Sequence, residues 1–353
     1  MTNLKIAILE GDDIGHEIIP MAKNVIIKAL NFVDYNYDLI ELPIGKLAHN
    51  KYGDTFPNFT RDELKKVDAV ICGPFGHNSY PRNDSTWRIP PIRKALDLYA
   101  SVRPIKSYLP DSNIDLIFVR EVTEGLLSAE TVIAGQAEYR PNDEITIASR
   151  VITRRGSRRV AECAFDIARH HGRKKVTVSH KEPVYRLSCG MFLEECQKTS
   201  KEYPNILMDD KLIDTTAMHL VSAPEGFDVI VTTNQFGDIL SDLGAGLIGS
   251  IGMAPGLCIG QDIAMAQTTH GSAPDIVGKN IANPYAIIMS SAMLINWLGF
   301  KNNQDKLIDA SNNIINSLEK VITSKKNLTP DIGGNATTLE MTNEILLNLE
   351  SNT

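Results

Sequence analysis

The sequence predicts an α/β protein, and two observations carry that prediction. Strand-like and helix-like segments alternate along the chain, and the strand-like ones are mostly continuous Val/Ile runs such as "VDAVICGP" and "FDVIVTTN". Uninterrupted apolar strands are buried on both faces, which an α/β protein achieves by covering its sheet with helices.

Taken in order, "LKIAILEGDDIGHEIIPMAKNVIIKAL" reads as strand, glycine turn and helix, and "VDAVICGP" is a second buried strand. "LYASVRP" and "IDLIFVRE" follow as strands. "RRVAECAFDIARHHG" is the clearest helix: Val160, Cys163, Ala164, Ile167 and Ala168 form one apolar stripe, and Gly172 follows basic residues that suit a helix end. "KKVTVSHK" and "FDVIVTTN" are again strands. The Gly-rich, uncharged stretch 243–261 includes Pro255 and reads as a buried segment of small residues, not a membrane span. There is no internal repeat or floppy linker, and a chain that crosses twice between domains is compatible with the pattern.

Bulk properties narrow the function. The chain has 353 residues, enough for about two domains. Its formal net charge of −7 disfavours nucleic-acid and anionic-membrane binding, both of which need a basic face. The five cysteines are scattered and include no C-x-x-C pair, which fits free thiols in a reducing cytoplasm and argues against a zinc site. The first residues, "MTNLKIAILEGDD", do not read as a signal peptide.

Polar side chains gather where apolar strands end. Arg103 closes "YASVR", Arg120 closes "DLIFVR", Lys181 closes "VTVSHK", and Asp238 follows "VIVTTNQFG". Ligands of open α/β sheets bind beyond the carboxyl ends of strands, so these residues suggest an anionic ligand; singly, each is also compatible with a solvated strand terminus. Asp238 and Asp242 are four apart on one helix face. Two such carboxylates repel unless a cation or proton joins them, and hard oxygen ligands suit Mg²⁺ or Mn²⁺. A helix cap and a surface acid are the alternative. "GAGLIG", 244–249, matches G-x-G-x-x-G but lies within or at the end of the helix, where it reads as close packing instead of a nucleotide loop. The polar, Gly-rich "THGSAPDIVGKNIANP" lets backbone approach a ligand, and Asp275 is suited to ribose hydroxyls.

The motifs "EGDDIGHE", "LDLYASVRP", "VREVTEGL", "VSHK", "NQFGDILSDLGAGLIGSIGMAP", "HGSAPDIVGKNIANP" and "TPDIGGNATT" together resemble the β-decarboxylating dehydrogenases of isocitrate, 3-isopropylmalate, homoisocitrate and tartrate or malate. The resemblance covers nearly the whole chain. It implies an isopropylmalate-dehydrogenase-like fold, two α/β domains around a shared mixed sheet and not a Rossmann domain, with 1–102 and 250–353 forming the first domain and 103–249 the second. It implies a homodimer with shared active sites, NAD, and Mg²⁺ or Mn²⁺. It assigns Arg93, Arg103 and Arg120 to substrate carboxylates, and Asp238, Asp242 and, from the neighbouring chain, Asp214 to the metal. Lys181, also from the neighbour, is catalytic together with Asp214. Ile14, His270, Gly271, Ser272, Ala273, Asp275 and Asn283 are assigned to the cofactor, Asp275 being the acid of NAD-dependent members. A lysine beside a metal and arginines has its charge disfavoured, which suits proton transfer near neutral pH.

Three positions depart from that family's pattern. Leu127 stands where a proton-donating tyrosine is expected, Pro183 where an asparagine is expected near the nicotinamide, and Asp13 where the first loop has glycine. Tyr139 and Tyr185 are candidate substitutes for the phenol. The expected activity is therefore oxidation of a malate-like hydroxy acid, ordinarily with decarboxylation; oxidation alone, or a non-catalytic regulatory homologue, are the competing readings. In "NSYPRNDSTWRIPPIR", Arg82 and Arg88 favour an acidic substituent on the substrate, while Trp87, Ile89 and the Pro90–Pro91 pair favour an apolar one.

Overall fold

The computed structural model describes residues 3–76, 80, 89–109, 112–128 and 137–350. Arg82, Trp87 and Arg88 lie outside them. The chain forms two compact units, Met1–Leu96 with Gly249–Thr353, and Asp97–Ile248. The first switch falls before the strand that begins at Ala100, not at 102/103, because that strand pairs along its whole length with a neighbour inside the second unit.

The first unit begins with β1 (Leu4–Leu9), α1 (Gly15–Phe32), β2 (Tyr37–Glu41), α2 (Gly45–Tyr52), α3 (Asn58–Leu64), β3 (Ala69–Cys72) and α4 (Ile92–Ala95). The second contains β4 (Ala100–Lys106), β5 (Asp115–Glu121), β6 (Glu138–Asn142), β7 (Ile145–Ala148), α5 (Arg154–His170), β8 (Lys175–His180), α6 (Ser188–Ser200), β9 (Leu207–Leu212), α7 (Ile213–Ser222), β10 (Val229–Thr232) and α8 (Asn234–Leu247). The chain then returns to the first unit with β11 (Leu257–Ile259), β12 (Ala264–Ala266), α9 (Tyr285–Asn302), α10 (Asp305–Ser324) and α11 (Thr338–Glu350).

In the first unit the strands run β2-β1-β3-β12-β11, parallel except for the β11–β12 pair. Helix α1 buries Ile18, Ile19, Ala22, Val25, Ile26, Ala29 and Leu30, the stripe of a helix with one face in the core. In the second unit the order is β4-β5-β10-β8-β9. Here β4 is antiparallel to β5, and the other pairs are parallel. Thr232 aligns with Arg120 on one side and with Ser179 on the other, while His180 aligns with Leu212. That register brings Arg120, Asn234, Lys181 and Asp214 to one carboxyl edge. Arg103 does not belong to a strand end: it lies in the middle of β4, opposite Phe118, and β4 runs the other way.

Helix α5 begins at Arg154, well before Val160 opens its apolar stripe, because Thr153 caps it, its Oγ1 accepting the Gly156 N–H at 2.9 Å. The stretch read as buried small residues is broken into the end of α8, a short 3₁₀ turn and β11, and no helix among the described residues is long and apolar enough to cross a membrane. Gly244 of "GAGLIG" lies against the sheet, where an added Cβ would come within 2.9 Å of Phe118 and 3.1 Å of Ile105. All five cysteines are free and buried.

The turn after β5 is built around a buried carboxylate. Glu121 accepts the N–H and hydroxyl of Thr123, each at 2.6 Å, and the Glu124 N–H at 3.0 Å. Burial outweighs those hydrogen bonds and pushes the Glu121 carboxyl up to about 7. A carboxyl raised in the folded state binds more protons there than in the unfolded chain, so its contribution weakens as pH rises from about 4.5 to 7. Urea unfolding should show a loss of up to about 3 kcal/mol from this group over that window. Glu121→Gln should remove that part of the slope; an unchanged slope would refute the assignment.

Candidate active site

Two buried arginines face two half-exposed carboxylates on α8. Asp238 and Asp242 lie one turn apart. Arg120 Nη1 donates to Asp238 Oδ1, and its Nη2 donates to Asn234 Oδ1 at 2.7 Å. Arg103 Nη1 lies 3.9 Å from Asp238 Oδ1 and 3.8 Å from Asp242 Oδ1, and donates to Ser241 Oγ at 2.6 Å. Arg103 Nε reaches Ser101 Oγ at 3.2 Å. Burial raises the Asp242 carboxyl, Arg103 opposes that, Asp238 adds to it and Arg120 opposes it again.

The local sequence explains the arrangement. Gly237 leaves room for Arg120, since an added Cβ would lie 2.6 Å from its Cγ. Asn234 is fixed at its other end by donating to Glu124 O at 2.7 Å, so it orients Arg120 instead of following it. Sequence reasoning missed Ser101, Asn234 and Ser241. Ser101 had a signal, because residues two apart on a strand share a face, and Ser241 had another, three positions after Asp238 on a helix.

Two guanidinium groups and two carboxylates make this cluster formally neutral. Asp238 and Asp242 offer hard oxygen ligands with solvent access, and two carboxylates plus waters and a ligand's own oxygens suit Mg²⁺ or Mn²⁺. Among the described residues no group of three or more His, Cys, Asp or Glu is placed to hold a metal within one chain. Asp214 is elsewhere on the edge, in the first turn of α7, accepting from Lys181 Nζ at 2.7 Å. The Lys181 ammonium, then first-turn backbone N–H groups, hold the Asp214 carboxyl below the usual range. The hydrogen-bond partner of Lys181 within the chain is thus the acid Asp214, and these are the two residues that the resemblance assigns together to the neighbouring chain's site.

In the first unit, Arg93 Nη2 donates to Gln267 Oε1 at 2.9 Å. The amide of Gln267 donates in turn to Gly73 O at 3.4 Å, which fixes which end faces Arg93. Nothing in the sequence had marked Gln267. Ile14 is buried just before α1, and its N–H donates to Ser272 O at 3.2 Å, joining the first turn to the 270–283 loop. Asp13 adopts φ +52°, and its carboxylate bonds Lys46 Nζ at 2.8 and 3.1 Å. Burial raises the Asp13 carboxyl, but the bonds from Lys46 and Ser272 outweigh it and leave it lowered. Ala273 also has positive φ, at 43°. His270 donates from Nδ1 to Gly271 O at 2.9 Å, and burial pushes its pKa down. Gly271 and Asp275 are exposed. Asn283 is turned inward: its amide donates to Asp331 Oδ2 at 3.0 Å and accepts the Tyr285 N–H at 2.9 Å. Leu127 and Tyr139 are both half-exposed. The half-exposed Tyr185 ring lies 5.1 Å from the Arg150 guanidinium, which also lies 5.4 Å from the Phe236 ring.

Comparison with known proteins agrees with this architecture along the whole chain. The family model described as isocitrate/isopropylmalate dehydrogenase matches residues 5–345. The homoisocitrate dehydrogenase of Methanocaldococcus jannaschii is 40% identical, over 97% of this chain and 97% of that protein. The 3-isopropylmalate dehydrogenase of Archaeoglobus fulgidus is 39% identical, over 97% and 98%. The crystal structure of isocitrate dehydrogenase from Methylococcus capsulatus superposes with a TM-score of 0.84 at 35% identity, covering 98% of this chain and 99% of that one. The chain belongs to the isocitrate/isopropylmalate dehydrogenase family, whose members oxidise hydroxy acids.

Proposed function

We propose that the chain is an NAD-dependent, divalent-metal-dependent dehydrogenase of a malate-like 2-hydroxy di- or tricarboxylic acid, and that oxidation is followed by loss of CO₂. The observation that carries the reading is the neutral cluster of Arg103, Arg120, Asp238 and Asp242. Adding Mg²⁺ or Mn²⁺ to it leaves two positive charges, which suits a dianion. The arginine forks, with Arg93, hold the substrate's carboxylates. Asp238 and Asp242 hold the cation, with Asp214 and Lys181 supplied by a second copy of the chain. When bound, the cation supplies Lewis acidity toward the 2-hydroxyl, and NAD supplies the hydride acceptor. Lys181 moves the hydroxyl proton. Ile14, Ser272, Ala273 and the backbone around His270 and Gly271 form the cofactor's bed, the exposed Asp275 accepts ribose hydroxyls, and Asn283 supports the loop from behind.

A homodimer is part of the reading. Met218 and Val221 on α7, Ile239 on α8 and Leu207 on β9 are large apolar side chains left exposed by the second unit. Exposed apolar clusters of this kind mark association surfaces. The buried free thiols suit a reducing compartment such as the cytoplasm.

One observation favours a second outcome, oxidation without ordinary decarboxylation. Leu127 presents an aliphatic side chain where the family resemblance calls for a phenol, and leucine has no proton to give.

Four measurements test these statements. A panel of malate, tartrate, isocitrate, homoisocitrate and 3-isopropylmalate with NAD and Mg²⁺ or Mn²⁺ should yield NADH, and chelation should abolish it; a folded, NAD-binding protein inactive across the panel would overturn the reading. CO₂ measured beside NADH separates the two outcomes, and Leu127→Tyr should raise turnover if the missing phenol limits it. Gln267→Glu places a carboxylate against Arg93 and should raise KM for the substrate roughly tenfold or more, an energy of about 1.4 kcal/mol; an unchanged KM would remove Arg93 from substrate binding.

A further inference from the structure

His180 is a buried imidazole immediately before Lys181, and both its ring nitrogens are committed. The Glu182 N–H donates to Nδ1 at 3.0 Å. Nδ1 therefore carries no proton, and Nε2 is the protonated nitrogen, donating to Asp210 Oδ2 on the adjacent strand at 2.9 Å. The two partners independently require the same tautomer.

The backbone around Lys181 is held at several points. Thr232 Oγ1 donates to Ser179 O at 2.7 Å. The Lys181 carbonyl accepts two N–H groups, from Val184 at 3.1 Å and Tyr185 at 2.9 Å. Pro183 has no N–H to give. The remaining donor of the turn, Glu182 N–H, is the one His180 takes. The peptide plane that follows Lys181 is thereby held at both ends, its N–H by the His180 ring and its carbonyl by Val184 and Tyr185, and this plane constrains the direction of the Lys181 side chain.

We propose that His180 is a positioning residue for Lys181: by accepting the Glu182 N–H it fixes the turn from which the lysine reaches the substrate. The proposal rests on the reading of Lys181 as the proton-transferring group. A misdirected lysine loses rate more than affinity, because it no longer meets the reacting hydroxyl in line.

Two isosteres separate the two hydrogen bonds. In His180→Asn the amide oxygen falls near the place of Nδ1 and keeps the Glu182 bond while losing Asp210. In His180→Gln the amide nitrogen falls near the place of Nε2 and keeps Asp210 while losing Glu182. With the fastest-reacting acid of the panel, His180→Asn should retain kcat within about threefold, and His180→Gln should lose about ten- to a hundredfold in kcat with KM within about threefold. Equal losses in both variants, or full kcat in His180→Gln, would overturn the proposal. Hydrogen exchange gives an answer that needs no variant: the Glu182 amide of the unmodified protein should be protected, and exchange at the rate of a free peptide would also overturn it. Lys181→Met serves as the reference. Turnover surviving in that variant overturns the reading of Lys181 itself, whereas its loss beside an unaffected His180→Gln overturns only the role of His180.

Discussion

The second unit depends on keeping two guanidinium groups charged inside the protein. Arg103 and Arg120 are almost fully buried. An ion removed from water is tolerated only where opposite charge and hydrogen bonds replace hydration. Asp238 and Asp242 supply the charge; Ser101, Ser241 and Asn234 supply acceptors whose dipoles can be aimed without adding charge. The asymmetry of burial matters. The arginines are inside, while the carboxylates remain half open to solvent, so any further ligand meets the acids first and finds the cations behind them. A small divalent ion suits the first layer and an anion the second.

Several otherwise unrelated features serve that cluster. Gly237 admits the stem of Arg120. Gly244 lets α8 lie against Phe118 and Ile105, and that close approach sets the depth at which Asp238 and Asp242 face the strands. Asn234 links Arg120 to the carbonyl of Glu124, while Glu124 accepts from Thr153 at the head of α5. A single polar chain thus runs from the β5 turn to the heads of two helices. Interior polar chains of this kind are costly when half satisfied, so each member constrains the others.

Much of this was legible in the sequence because strands and helices impose simple periods. The apolar runs marked β1, β3, β5, β8 and β10, and the stripe of α5 marked a helix with one buried face. Arg120, Lys181 and the Asp238–Asp242 pair were legible because a charged side chain at the end of a buried apolar run must meet either solvent or a ligand there. Arg103 was placed wrongly at a strand end: a single sequence does not reveal that β4 runs antiparallel and continues through Pro104 to Lys106. Gln267 and His180 were hidden for a different reason. Gln267 meets a partner far along the chain, Arg93, and the tautomer of His180 is set jointly by Asp210 on the adjacent strand and by the Glu182 N–H. Nor does spacing say that the Asn283 amide turns inward to Asp331.

Asp13 shows how a charged residue at positive φ can be accommodated locally. At φ +52° a glycine would be free of strain, and an aspartate is not, although Asp tolerates this region better than most residues. Its carboxylate bonds Lys46 Nζ and, through Ser272, the loop assigned to the cofactor. The added negative charge is therefore neutralised where it arises, and Ser272, the residue whose carbonyl receives the Ile14 N–H, is gripped twice. Gly76 completes the arrangement, since a Cβ there would crowd all three groups: 2.9 Å from Asp13, 3.0 Å from Ser272 and 3.1 Å from Lys46. Asp13 thus forms a tether between the β1–α1 loop and the 270–283 segment. That tether fixes the backbone of the first loop against the 270–283 segment, with the Asp13 charge compensated by Lys46.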